Sequence, residues 1–181
     1  AGGIISNGGF NESEWTLASA LARFNYGYKG KYLGTLTVRS DRASRFGSDN
    51  QTGIFPSFSL GWRITEESFM ESVDIFNELK LRGSYGVAGN FEIGNYSSIS
   101  LLNSVNYPEN GVLFPGSSLA TLGDSELTWE TSYQTNIGID YALLNDRIYG
   151  SIDYYSTITK DLLLSVNVPP STGFGSVLTN I

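Results

Sequence analysis

The residue types that most often carry catalysis are scarce in this chain. It contains no His and no Cys, which removes Ser–His and Cys–His nucleophilic pairs and the commonest zinc ligands. Carboxylates and guanidiniums are what remain. Glu66 and Glu67 are adjacent, so on an extended segment they point to opposite faces and do not form the facing pair that glycoside hydrolysis needs. Asp49-Asn50 and Asn90 with Glu92 offer oxygens of the kind calcium prefers, but neither follows the spacing of a calcium loop, and both read as polar loops. The glycines of "SYGVAGNFEIG" lack the following Lys-Ser/Thr and the strand-to-helix context of a phosphate loop. No catalytic residue, cofactor or metal is expected.

Charge and composition narrow the class further. A net charge of -7 argues against a nucleic-acid partner. With 21 Gly, 11 Tyr and 10 Phe but only 5 Pro and one Met, the chain has a strand-and-turn composition poor in long helix formers. No stretch approaches the roughly 20 apolar residues of a spanning helix. The opening "AGGIISNGGF" has neither a basic n-region nor an apolar h-region, so no signal peptide is read there.

The elements that must position any functional side chain are strands. Six segments alternate with a period of two: Ala18 to Tyr28, Lys31 to Arg39, Ile54 to Ile64, Leu79 to Ala88, Leu127 to Tyr141 and Arg147 to Thr159. One parity carries Phe24, Tyr26, Leu36, Leu60, Trp62, Tyr85, Trp129, Ile137 and Ile152. The other carries Arg23, Lys31, Arg39, Arg63, Lys80, Arg82, Glu130, Gln134, Asp140, Arg147 and Asp153. Every charge of the six segments falls on the second face. Leu33, Phe55, Tyr149 and Tyr155 also fall there, which predicts packed protein against that face rather than water alone. Trp15 and Leu17 are out of phase with Ala20 to Tyr26 and predict a bulge or a start above the membrane.

The apolar face must meet either a second sheet, as in a soluble sandwich, or lipid. Absence of charge does not decide between them, because either environment rejects a lone Arg or Lys. Three features favour lipid. The segments run to roughly 9–15 residues, enough for a tilted strand to cross a bilayer, whereas ordinary strands average about 5–6. Aromatics gather near segment ends, where their amphipathic rings suit membrane–water interfaces. Tight connections ("YKGK", "LLND") alternate with long ones (Asp41 to Gly53, Gly89 to Glu126, and everything after Lys160), the pattern of short periplasmic turns opposite long external loops. On the short side, Phe69, Val73 and Phe76 recur at helical spacing and predict one short amphipathic helix at the periplasmic rim. This reading makes the basic-rich face lumen-facing and the apolar face lipid-facing. The expected fold is an all-β, antiparallel transmembrane β-barrel segment.

The runs "LARFNYGYKGKYLGTLTVRSDRASRFG", "GIFPSFSLGWRITEESF", "LKLRGSYGVAGN", "LTWETSYQTNIGIDY", "SIDYYSTITKDLLL" and "STGFGSVLTNI" resemble the barrel of SusC/RagA-type TonB-dependent transporters, in order and approximate spacing. The resemblance implies about six strands of a 22-stranded barrel in the outer membrane of a Bacteroidetes-type bacterium. It also implies an N-terminal plug, a TonB contact, and a SusD-like surface lipoprotein that helps capture oligosaccharides or peptides. One departure lies in the first long loop, where Arg42 follows Asp41 at a position the family often fills with Gly. Residues 1–181 are accordingly expected to be part of such a barrel, without its plug, signal peptide and remaining strands. The function expected is active nutrient import, not enzymatic. A passive porin, an adhesin-type barrel and a secreted carbohydrate-binding sandwich are the competing readings.

Overall fold

The computed structural model describes residues 12–181, so the reading of the first ten residues lies outside it. Among the described residues ten strands form: β1 (Leu17–Tyr28), β2 (Tyr32–Ala43), β3 (Thr52–Arg63), β4 (Phe76–Asn90), β5 (Leu101–Glu109), β6 (Val112–Thr121), β7 (Glu130–Leu143), β8 (Ile148–Lys160), β9 (Leu163–Asn167) and β10 (Ser176–Asn180). Six of them make one sheet in the order β1-β2-β3-β4-β7-β8, and every pairing is antiparallel. These strands are 12–15 residues long. The sheet is open, with β1 and β8 as its edges.

One end of the sheet is closed by tight turns. Lys29 and Gly30 both have positive φ (53° and 69°), and Lys31 N donates to Tyr28 O at 3.0 Å, the turn whose twist suits a two-residue hairpin. No bulge interrupts β1: Leu17 pairs with Ala43 in the same register that pairs Tyr28 with Tyr32, and Trp15 simply precedes the strand. The helix expected on this side takes the form of two single 3-10 turns, Ile64–Glu66 and Ser68–Met70. Phe69 is exposed there and Phe76 already belongs to β4, so the three apolar residues share no helical face.

The opposite end holds the long connections and the hydrophobic core. The β2–β3 loop is shorter than expected because both strands extend into it. Arg42 stays in extended β2, where its Nε and Nη2 donate to Gln51 Oε1, so the missing glycine is not needed at that position. The segment read as a long loop from Gly89 to Glu126 contains the β5–β6 hairpin, which turns at Asn110-Gly111 (φ 51° and 82°). The segment after Lys160 contains the β9–β10 hairpin.

Trp129 is a correction. Parity placed it on the lipid face, but it precedes β7, is only 5 % exposed, and packs with Ala43, Phe46, Phe55, Ile93 and Leu127. Its ring centroid lies 5.2 Å from Phe46, 5.3 Å from Phe55 and 5.5 Å from Phe91. The alternation rule lapses there because the backbone has left the sheet. β3 and β4 stop pairing beyond Ser57–Gly86, and the Phe55 ring fills the opening. A Cβ at Gly53 or Gly89 would run into that ring, which explains a glycine at both positions.

Candidate functional site

The pairing register sorts the side chains into rows across the sheet. On one face run Phe24–Leu36–Phe58–Tyr85, then Tyr26–Gly34–Leu60–Gly83–Ile137–Tyr154, then Tyr28–Tyr32–Trp62–Leu81–Ile139–Ile152. Eight of the nine residues expected to face lipid stand on this face, Trp129 being the one that does not. The side chains are bare: Phe24, Leu60 and Ile152 are 64–67 % exposed. The only charges in these strands on this face are Arg42 and Lys160, both at the loop end. Lys160 lies there over the Tyr133 ring at 5.4 Å, as an amphipathic side chain at an interface would.

The other face is polar and graded along its length. Rows Arg23–Thr37–Ser57–Gly86–Gln134–Thr157 and Asn25–Thr35–Ser59–Ser84–Asn136–Tyr155 are almost uncharged. Arg23 Nε donates to Thr37 Oγ1 at 3.2 Å, and Thr35 Oγ1 to Asn25 Oδ1 at 2.9 Å. Toward the tight turns the rows become charged. Arg82 bridges two carboxylates, Nε to Asp140 Oδ1 at 3.0 Å and Nη2 to Asp153 Oδ1 at 2.7 Å, while Lys80 Nζ lies 3.6 Å from Asp140. Two positive and two negative charges thus close on one another, which leaves no local excess to attract an ion. Gly138 lies between Arg82 and Asp153 in the register, and a Cβ there would stand 2.8 Å from Arg82 Cζ. Gly138→Val should therefore open the Arg82–Asp153 contact. It is expected to lower the thermal midpoint of the full-length protein, whereas Asp153→Asn, which keeps the shape, should cost less; equal effects would deny Gly138 this role.

The other expected polar-face residues are on that face but dispersed. Arg39 Nε sits 2.8 Å from Asp41 Oδ2 and its guanidinium lies 5.4 Å over Phe55, so it tethers the loop-end core. Arg63 pairs with Glu66 at 2.9 Å. Glu130 accepts from Leu163 N and from Asn90 Nδ2, which ties β9 to the sheet. Gln134 lines a shallow depression with Arg23, Thr37, Ser57 and Asn136. None of these groups forms a reactive constellation, and no group of three or more potential metal ligands occurs among the described residues.

One cluster escaped the sequence reading. Glu67 accepts hydrogen bonds from Tyr32 Oη (2.7 Å), Trp62 Nε1 (3.0 Å) and Lys31 Nζ (3.1 Å), joining the β1–β2 turn to the start of the β3–β4 connection. Its partners lie up to 36 residues away, so no local motif announces it. The donors hold the carboxylate down at about 2 from its ordinary 4.5, the Tyr32 hydroxyl first among them. A carboxylate depressed on folding adds stability above its unfolded pKa and loses it as pH falls through the folded one. The melting difference between the protein and its Glu67→Gln variant should then be full above pH 4.5 and fade toward pH 2. A difference that did not change with pH would mean that the charge is not what stabilises the rim.

Residues 2–181 match the family described as TonB dependent receptor-like, beta-barrel. The chain belongs to this family. It is 41% identical over 169 residues to TonB-dependent receptor P26 of Formosa agariphila, covering 93% of this chain and 17% of that protein. To TonB-dependent receptor SusC of Bacteroides thetaiotaomicron it is 39% identical over 169 residues, 91% of this chain and 17% of that protein. The RagAB peptide transporter structure superposes with a TM-score of 0.82 at 35% identity over 92% of this chain and 18% of that one. The chain therefore spans about a sixth of the length of these relatives. As a SusC/RagA-like TonB-dependent receptor it is an outer-membrane protein, and its open six-stranded sheet is a stretch of barrel wall. The secreted-sandwich reading is overturned by the same matches.

Proposed function

We propose that the TonB-dependent receptor segment is part of an active importer that takes up oligosaccharides or peptides, draws energy through TonB, and works with a SusD-like surface lipoprotein. The observation that carries this is the match to the TonB-dependent receptor barrel family together with the likeness to SusC and to the RagAB peptide transporter; the two-faced sheet, long enough to cross a bilayer and bare of charge on one side over most of its height, supplies the membrane wall. In this reading the apolar face contacts lipid. The polar face looks into a barrel of about 22 strands, where a plug covers it. Leu33 (41 % exposed), Tyr149 and Tyr155 stand on that polar face, and an aqueous channel alone would leave them in water; a plug surface gives them apolar partners.

Uptake by cells carrying the full-length protein tests the reading against a passive porin. Labelled oligosaccharide or peptide uptake should stop when the proton-motive force is collapsed or TonB is removed. Uptake that persisted under either condition would favour the porin. Orientation follows from the loops. Asn50→Cys and Glu109→Cys should react with an impermeant maleimide on intact cells, and Asp146→Cys only after the outer membrane is opened. Labelling of Asp146→Cys on intact cells would invert the topology.

A further inference from the structure

The loop end of the apolar face carries two cations, Arg42 on β2 and Lys160 on β8, and both are exposed. Neither forms an ion pair among the described residues, although Lys31, Arg39, Arg63, Lys80 and Arg82 all do. The acids beside them in the sheet, Asp41 and Glu130, lie on the polar face, where Asp41 holds Arg39 and Glu130 accepts from Asn90 and Leu163. Asp161 follows Lys160 but has left the strand, with a φ of 55°. Each cation is held by a neutral group instead. Arg42 Nε and Nη2 donate to Gln51 Oε1 at 3.1 and 3.0 Å, and Gln51 Nε2 donates to Phe46 O at 3.3 Å, which fixes the amide with its oxygen toward the guanidinium. That leaves the Nη1 donors of Arg42 for another acceptor. Lys160 Nζ lies 5.4 Å over the Tyr133 ring, which steadies an ammonium without neutralising it. Toward the middle of the sheet the same face is apolar: Val38 pairs with Pro56, and Tyr133 with Val87 and Ile158.

From this arrangement we infer that Arg42 and Lys160 each hold a phosphate of a phosphorylated glycolipid in the outer leaflet. A cation at the edge of a hydrocarbon-facing surface stands where acyl chains end and headgroups begin. Its uncompensated charge calls for an anion, and the apolar row beside it calls for acyl chains, so the partner carries both. A guanidinium presents paired N–H donors that match phosphate oxygens, and an ammonium acts as a point charge. Lipid A, acyl chains on a phosphorylated disaccharide, is the outer-leaflet lipid with this chemistry. Four strand spacings of about 4.8 Å separate β2 from β8, roughly 19 Å along the wall, so the two cations serve separate lipids. The turn end differs, because Lys31 and Arg63 are paired there with Glu67 and Glu66. Lys29, in the turn, lies 5.3 Å over the Tyr28 ring and repeats the Lys160 arrangement at the opposite leaflet. The inference rests on the lipid-facing and loop-outward parts of the proposed function.

The test extracts the full-length protein from outer membranes in mild detergent and counts the lipid A that stays bound by native mass spectrometry. Arg42→Gln and Lys160→Gln should each lose one lipid A, and the double variant two. Arg42→Lys and Lys160→Arg, which keep the charge, should retain the full count. Lys29→Gln should retain it too, because that cation meets the other leaflet. Protein stripped of lipid and titrated with lipid A should bind it more tightly than the stripped double variant does, and dephosphorylated lipid A should not tell the two apart. An unchanged count in the double variant, an equal loss in Lys29→Gln, or the same discrimination with dephosphorylated lipid overturns the inference. TonB-dependent uptake alongside such a failure would leave the importer standing, whereas charge-dependent lipid A retention with TonB-independent uptake would remove the importer and keep the lipid sites.

Discussion

Leu60→Arg and Ile137→Arg should sharply reduce assembly of the full-length receptor in the outer membrane, and the double variant should abolish it, while Gln134→Arg should assemble normally. Leu60 and Ile137 share one row, separated by Gly83; Ile137 lies near the middle of β7, and Leu60 lies three residues from the end of β3. Leu60 is 65 % and Ile137 52 % exposed on the face that meets lipid in this reading. An arginine at the bilayer midplane costs about 2–4 kcal/mol, a large share of a total stability of about 5–15 kcal/mol. Two arginines so close would also repel one another across the sheet. Gln134 pairs with Gly86 and Thr157 on the polar face, where an added guanidinium keeps polar company. Outer-membrane fractionation with heat-modifiability on gels reads the outcome. Equal assembly of all three single variants would mean the faces are wrongly assigned.

Trp129→Ala should destabilise the loop end by about 3–5 kcal/mol, the usual cost of deleting a large buried aromatic side chain. The ring contacts Phe46, Phe55 and Phe91 within 5.5 Å, and its removal leaves a cavity where β3 and β4 part. The segments that this core anchors should become sensitive to protease before the sheet does, around Ile93 to Leu127 and in the β9–β10 hairpin. Trp129→Phe should be much milder, because Trp129 Nε1 has no hydrogen-bond partner among the described residues. A Trp129→Ala protein with unchanged melting and proteolysis would restore the membrane-facing position that alternation predicted.

Alternation of side chains was legible wherever the backbone stays in the sheet. Arg23, Arg39, Arg63, Arg82, Glu130, Gln134, Asp140 and Asp153 do share one face, because a period of two holds along the paired strands of the six-stranded sheet, the one register shift falling at Phe76–Glu78, ahead of all of these residues on β4. It failed at Trp129, one residue before β7 begins. The β5–β6 hairpin was missed although Asn110-Gly111 is a strong short-range hairpin signal. Its strands alternate poorly, and apolar residues such as Leu102, Val105, Leu113 and Phe114 stand exposed on both sides. Helical spacing at Phe69, Val73 and Phe76 was a coincidence of two short turns and the first residue of β4. What joins Arg82 to Asp140 and Asp153 lies 58 and 71 residues away in sequence, so the face of each could be read and their contact could not.

Spin labels placed one at a time on the full-length receptor in lipid vesicles test the two-faced wall most directly. Labels at Leu60 and Ile152 should be relaxed strongly by oxygen and weakly by a water-soluble nickel chelate, as in hydrocarbon. Labels at Gln134 and Thr157 should show no such preference for oxygen. The same oxygen preference at all four positions, or strong nickel access at Leu60 and Ile152, would contradict a wall with lipid on one side and the barrel interior on the other.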